Sequence, residues 1–313
     1  MRNTTSREAR TGILIFLTCT FAISLMFYVL TLRAGVFGAT GGLYALGLMW
    51  CPALGALIAC HVRHRPLASM GWSWNSDYQG IAYGLPLVYA TTAYAVVWLF
   101  GVAGFPNAPF VGRAASDLGL GDLPTGVIVS VYVVLNLTLG VIRALPGAFG
   151  QELGWRGYLV PELYKVTSFT ATALISALVS LIWSLPVVLL VNYETHPISP
   201  YGLACYTVTT IGLGFVLAWV RLRSGSLWPA VTLHATHMVL VQAILTPLTD
   251  PWGRSPYFIG EFGAALAIAM TAVGAVVWSR RRSLDRPRID ARHAFSPRFY
   301  DLIVRSTGPL RGP

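Results

Sequence analysis

Eight apolar runs, each near 20 residues long and separated by short polar stretches, restrict this chain to one kind of architecture. A backbone crossing a bilayer must satisfy its own hydrogen bonds, and about 20 consecutive apolar residues is the length of a spanning helix. The runs cover about 11–32, 41–60, 80–102, 124–145, the stretch from after Lys165 to about 191, 201–220, 227–246 and 258–278. The content of 55% hydrophobic and only 11% charged residues excludes an ordinary soluble globule. The first run exceeds the apolar core of a signal peptide, lacks a small-residue cleavage site and precedes many more runs, so it reads as a retained helix. The expected fold is all-α and polytopic, with residues 1–283 as one transmembrane domain and 284–313 as a basic cytosolic tail. Pro186 is expected to break the fifth run, and 103–123 and 192–200, rich in turn-forming residues, to be loops.

The net charge of +10 could suggest nucleic acid, but the basic residues lie in short loops and the tail, as topology signals do. One set of alternate loops holds Arg2, Arg7, Arg10, Arg63, Arg65, Arg156, Lys165, Arg221, Arg223 and Arg280 to Arg282; the other holds Arg33, Arg113 and Arg254. That asymmetry predicts a multi-pass cell-membrane protein with both termini cytosolic, partnered by the lipid bilayer and by no nucleic acid. Cys19, Cys51, Cys60 and Cys205 all lie within apolar runs and read as small buried hydrophobes, giving no disulfide or zinc framework.

Charge inside this setting is concentrated in the stretch from Phe149 to Leu163, which contains Gln151, Glu152, Arg156 and Glu162. Intramembrane ionisable groups are costly and mark functional sites by default. On a helix, Glu152 and Arg156 share a face four residues apart, carboxylate first, the favourable order for an ion pair. Taken alone, the pair is also what a helix-end anchor would show. Three other places could converge on it: Ser180 and Ser184 around Trp183, ahead of Pro186; the turn from Arg221 to Ala230, with Pro229 at a helix start; and His234 and His237, three apart on one helix face. The two histidines with Glu152 make a conceivable His/His/carboxylate metal set, although no HExxH motif is present.

These segments resemble the motifs of the CPBP intramembrane protease family, which includes CAAX prenyl endopeptidases, bacteriocin-processing proteins and lysostaphin-resistance proteins. Gln151-Glu-Leu-Gly-Trp-Arg-Gly157 follows the first motif, a Glu-Glu pair with Arg four residues after the second Glu, except that Gln151 replaces the first glutamate. Ser180 and Ser184 stand where the second motif has an aromatic residue and, four on, a histidine, while Trp183 and Pro186 keep the surroundings. Ser224-Gly-Ser-Leu-Trp-Pro-Ala230 and His234 follow the third motif, with Met238 in the usual place of asparagine and His237 three residues after His234. The resemblance spans about 145–265 and takes in Glu261 within the eighth run.

The resemblance implies an intramembrane endopeptidase in which the first glutamate activates a water and the histidines and asparagine assist. An amide at Gln151 is not a useful base, a hydroxyl at Ser184 is neither base nor good ligand, and Met238 cannot donate to an oxyanion. The catalytic positions by this reading are Gln151, Glu152, Arg156, Ser184, His234, His237 and Met238, with peptidase activity weakened or lost. The family's metalloprotease label implies zinc, yet Glu152, His234 and His237 supply at most three ligands once Ser184 replaces a histidine, so no tightly held metal or other cofactor is expected. Two functions stay open: an endopeptidase using Glu152 with His234 or His237, or a non-catalytic protein that binds a membrane-embedded or prenylated peptide, as in bacteriocin self-protection. A transport or scaffold subunit has less support from a single polar cluster.

Overall fold

The computed structural model describes residues 2–34, 41–190 and 199–284. Among them are eight helices long and apolar enough to cross a membrane, and no strand beyond one isolated bridge between Gly104 and Asp250. The helices are α1 (Arg2–Ala34), α2 (Gly41–Val62), α3 (Ser76–Leu99), the short α4 (Ala108–Asp117), α5 (Thr125–Val166), α6 (Phe169–Leu190), α7 (Pro200–Ser224), α8 (Trp228–Leu248) and α9 (Ala264–Ser279). In the bundle α2 packs on α1 and α5, α8 on α3, α5 and α7, and α9 on α3 and α7.

Several boundaries differ from expectation for identifiable reasons. The fourth run does not end near 145; α5 continues for 42 residues, which at about 1.5 Å per residue is roughly twice the hydrocarbon thickness. It carries two π-helical segments, Asn136–Gly140 and Leu153–Leu159, the second built from the charged stretch itself. Pro186 does not break α6, which runs on to Leu190. The 103–123 loop contains α4, started by Asn107, whose side chain accepts the Phe110 N–H, with Pro109 in the first turn. The last span starts at Ala264, leaving Glu261 in the preceding turn. Of the expected 192–200 loop, residues 192–198 lie outside the described residues, as does the tail beyond Leu284.

Small residues set the position of the charged stretch. A Cβ on Gly150 would come within 2.8 Å of the Met49 carbonyl oxygen, and one on Gly154 within 2.6 Å of the Pro52 carbonyl carbon and oxygen. The two helices therefore touch backbone to backbone at the midpoint of α2, the close approach that small residues four apart permit between membrane helices. On the other side, Trp155 meets Phe16 edge-on at 5.6 Å and Trp183 at 5.8 Å, while Trp183 Nε1 donates to Ser24 Oγ at 2.8 Å. Helices α1, α5 and α6 are thereby fixed around one aromatic core.

Candidate active site

Gln151, Arg156, Ser184, His234, His237 and Met238 line one cavity of about 190 Å³ enclosed by α1, α2, α5, α6, α7 and α8. Sequence positions far apart thus converge as the motif spacing suggests. Glu152 lies behind that wall, fully buried, with Oε1 accepting from Arg156 Nη1 at 2.9 Å and from His234 Nδ1 at 2.7 Å. A carboxylate ion-paired to Arg156 only accepts, so His234 donates from Nδ1 and keeps Nε2 for another partner. Glu152 here holds and orients His234; it does not present itself to the cavity.

The π segment explains how a buried arginine is tolerated. A wide turn disturbs the regular ladder and is common at functional sites; here the Arg156 carbonyl accepts Arg221 Nε at 2.9 Å. Arg221, 6% exposed, also reaches the Met70 carbonyl at 3.2 Å. Gly71, at φ 87°, leaves room for the guanidinium, since a Cβ there would meet its carbon at 2.9 Å. Arg156 and Arg221 are therefore structural cations within the bundle rather than the loop charges that the sequence count made of them. The Glu162 carboxylate similarly pairs with Arg65 and Lys165. Glu152 Oε2, Trp155 Nε1 and Arg156 Nε remain buried without hydrogen-bond partners, and such orphaned groups cost about 1–3 kcal/mol each.

The approach to α8 is built by short side chains. Gly225, at φ 68°, ends α7, Ser224 Oγ accepts the Ser226 N–H at 3.1 Å, and Ser226 Oγ accepts the Trp228 N–H at 3.2 Å. Trp228 stacks on Phe149 at 5.6 Å and donates from Nε1 to the Trp72 carbonyl at 3.0 Å. Together these contacts set the rotation of α8 that turns His234 and His237 inward.

The two histidines do not share a partner. His237 Nδ1 lies 2.7 Å from the Tyr89 hydroxyl, and its Nε2 is 3.8 Å from Glu261 Oε1, which accepts from Gln242 Nε2 at 2.8 Å. Glu152, His234 and His237 thus do not gather as one ligand set, and no cluster of three or more His, Cys, Asp or Glu side chains suited to a metal exists among the described residues. Ser184 Oγ bonds the Leu181 carbonyl at 2.8 Å and accepts from the Tyr206 hydroxyl at 3.1 Å. Sequence reasoning missed Tyr89, Tyr206 and Gln242 and gave Glu261 no role. Glutamine and glutamate in or beside apolar runs were the available signal.

A family model described as type II CAAX prenyl endopeptidase Rce1-like matches residues 133–240. That interval contains the charged stretch of α5, Ser184, both histidines and Met238, and ends before Gln242 and Glu261. No curated protein matches the chain.

Proposed function

We propose that the chain is a member of the CPBP intramembrane protease family, supported by the match of residues 133–240 to the Rce1-like type II CAAX prenyl endopeptidase model, and that its cavity receives a membrane-embedded or prenylated peptide end while hydrolysis through the family's first motif is weak or lost. The observation that carries this reading is the division of labour at 151 and 152: the cavity wall presents an amide, Gln151, while the neighbouring carboxylate, Glu152, is sealed behind it and held by Arg156 and His234. A base must reach the proton that it takes, and Glu152 is already committed. The wall otherwise suits an apolar guest with a few polar anchors: Trp183, Val187, Val188 and Leu213 stand beside His234 and Gln151. By the asymmetry of basic residues, both termini face the cytosol.

The reading is tested by equilibrium binding of a farnesylated, fluorescently labelled peptide to the full chain in detergent. Ser184→Trp, which fills the cavity, is expected to weaken binding at least about tenfold, a difference of about 1.4 kcal/mol, with thermal unfolding retained. Unchanged affinity would place the peptide elsewhere.

A further inference from the structure

The cavity holds a carboxylate that lies beyond residues 133–240, the stretch matched by the family model. Among the described residues that line it, Glu261 is the only Asp or Glu, and it shares the wall with Gln151, His234 and His237. Its placement is built from both sides. The Gly260 N–H donates to the Tyr94 hydroxyl at 2.9 Å, Gly260 adopts φ 75°, and Phe262 stacks on Tyr206 at 5.1 Å. Gln242 orients Glu261 Oε1 directly, and His237, itself held by Tyr89, stands 3.8 Å away. A carboxylate, two oriented imidazoles and an amide lining one cavity are the groups needed to move a proton and hold a carbonyl.

We propose that Glu261 is a further catalytic residue, the general base that takes the place of the carboxylate missing at Gln151. The proposal rests on the reading of the cavity as a peptide site. In the step assigned to it, a water oxygen bonds the peptide carbonyl carbon while the C=O π pair moves to oxygen, and the water proton passes to the Glu261 carboxylate. The oxyanion then re-forms C=O, the C–N bond breaks, and the proton on Glu261 goes to the leaving nitrogen. Water is the only co-reactant and nothing is oxidised or reduced. His234 and His237 face the same space and can donate to the oxyanion. Burial pushes the Glu261 carboxyl above the usual carboxylate range, against the hydrogen bond from Gln242 and the nearby His234, which makes it a stronger base near neutral pH.

The test measures binding and cleavage of a farnesylated, internally quenched peptide by the full chain in detergent. Slow but measurable cleavage is expected from the unmodified protein. Glu261→Gln should lower kcat by about 10²-fold or more with KM and binding unchanged, and Glu261→Asp should recover part of the rate. The loss of rate on the acid side should also disappear in Glu261→Gln; His234, His237 and Tyr89 are the titratable groups facing Glu261, and all persist in that variant. Binding without cleavage in the unmodified protein, or a Glu261→Gln rate equal to the unmodified rate, overturns the assignment and leaves the binding reading standing. Absence of binding overturns both.

Discussion

Gln151→Glu, Ser184→His and Met238→Asn introduced together are expected to raise cleavage of a farnesylated test peptide by about 10³–10⁴-fold over the unmodified chain, with each single change gaining little. A positioned general base contributes about 10²–10⁴ in rate and an oxyanion donor about 10²–10³, and such groups act as a unit rather than additively. The three positions already line one cavity with His234, so the replacements need no rearrangement of the bundle. Ser184 would give up its contacts with Leu181 and Tyr206 to make room for the imidazole. The gain should vanish with His234→Ala and be nearly insensitive to Glu261→Gln, because the restored carboxylate at 151 takes over as base. A triple variant as slow as the unmodified chain would show that more than these three residues separates the cavity from a working peptidase.

The second large effect is on stability. Arg156→Ala leaves Glu152 as a fully buried carboxylate with only His234 against it, and removing one partner of a buried pair typically costs about 3–5 kcal/mol. Both side chains are almost wholly shielded, at 4% and 0% exposure, so solvent screening gives little relief. Thermal unfolding in detergent should shift down strongly for Arg156→Ala, and the double variant with Glu152→Gln should recover much of the loss, since no unpaired charge then remains. An unchanged transition would mean that water reaches the pair and that the sealed wall behind Gln151 does not exist.

The eight spans were legible because a run of about 20 apolar residues has few alternatives to a membrane helix. The motif positions were legible because polar residues are rare in such runs. What misled was the meaning of polarity near a run's end. Gln151, Glu152 and Arg156 read as the exit from a span, whereas the ion pair, His234 and the Arg221 contact satisfy them inside one continuous helix. The same satisfaction hides Arg156 and Arg221 among topology charges, since a count of basic residues cannot tell a solvated guanidinium from one capping a carbonyl. Pro186 suggested a break, but α6 runs through it to Leu190, as membrane helices do when their neighbours re-satisfy the backbone group that a proline frees. The Tyr89, His237, Gln242 and Glu261 cluster joins four positions on α3, α8 and the turn before α9. No local spacing announces such a cluster, and only the packing of α8 against α3 brings it together.

Occupancy of the cavity by a membrane peptide can be read out by photo-crosslinking. A farnesylated peptide carrying a diazirine would be added to proteoliposomes of the unmodified chain, and the labelled residues mapped by mass spectrometry. The predicted result is label on cavity-lining residues of α6 and α8, around Trp183, Ser184, Met238 and Gln242, competed away by unlabelled peptide. Label confined to the outer groove of α7 and α9 around Val208 and Ile268, or label that unlabelled peptide does not displace, would contradict it.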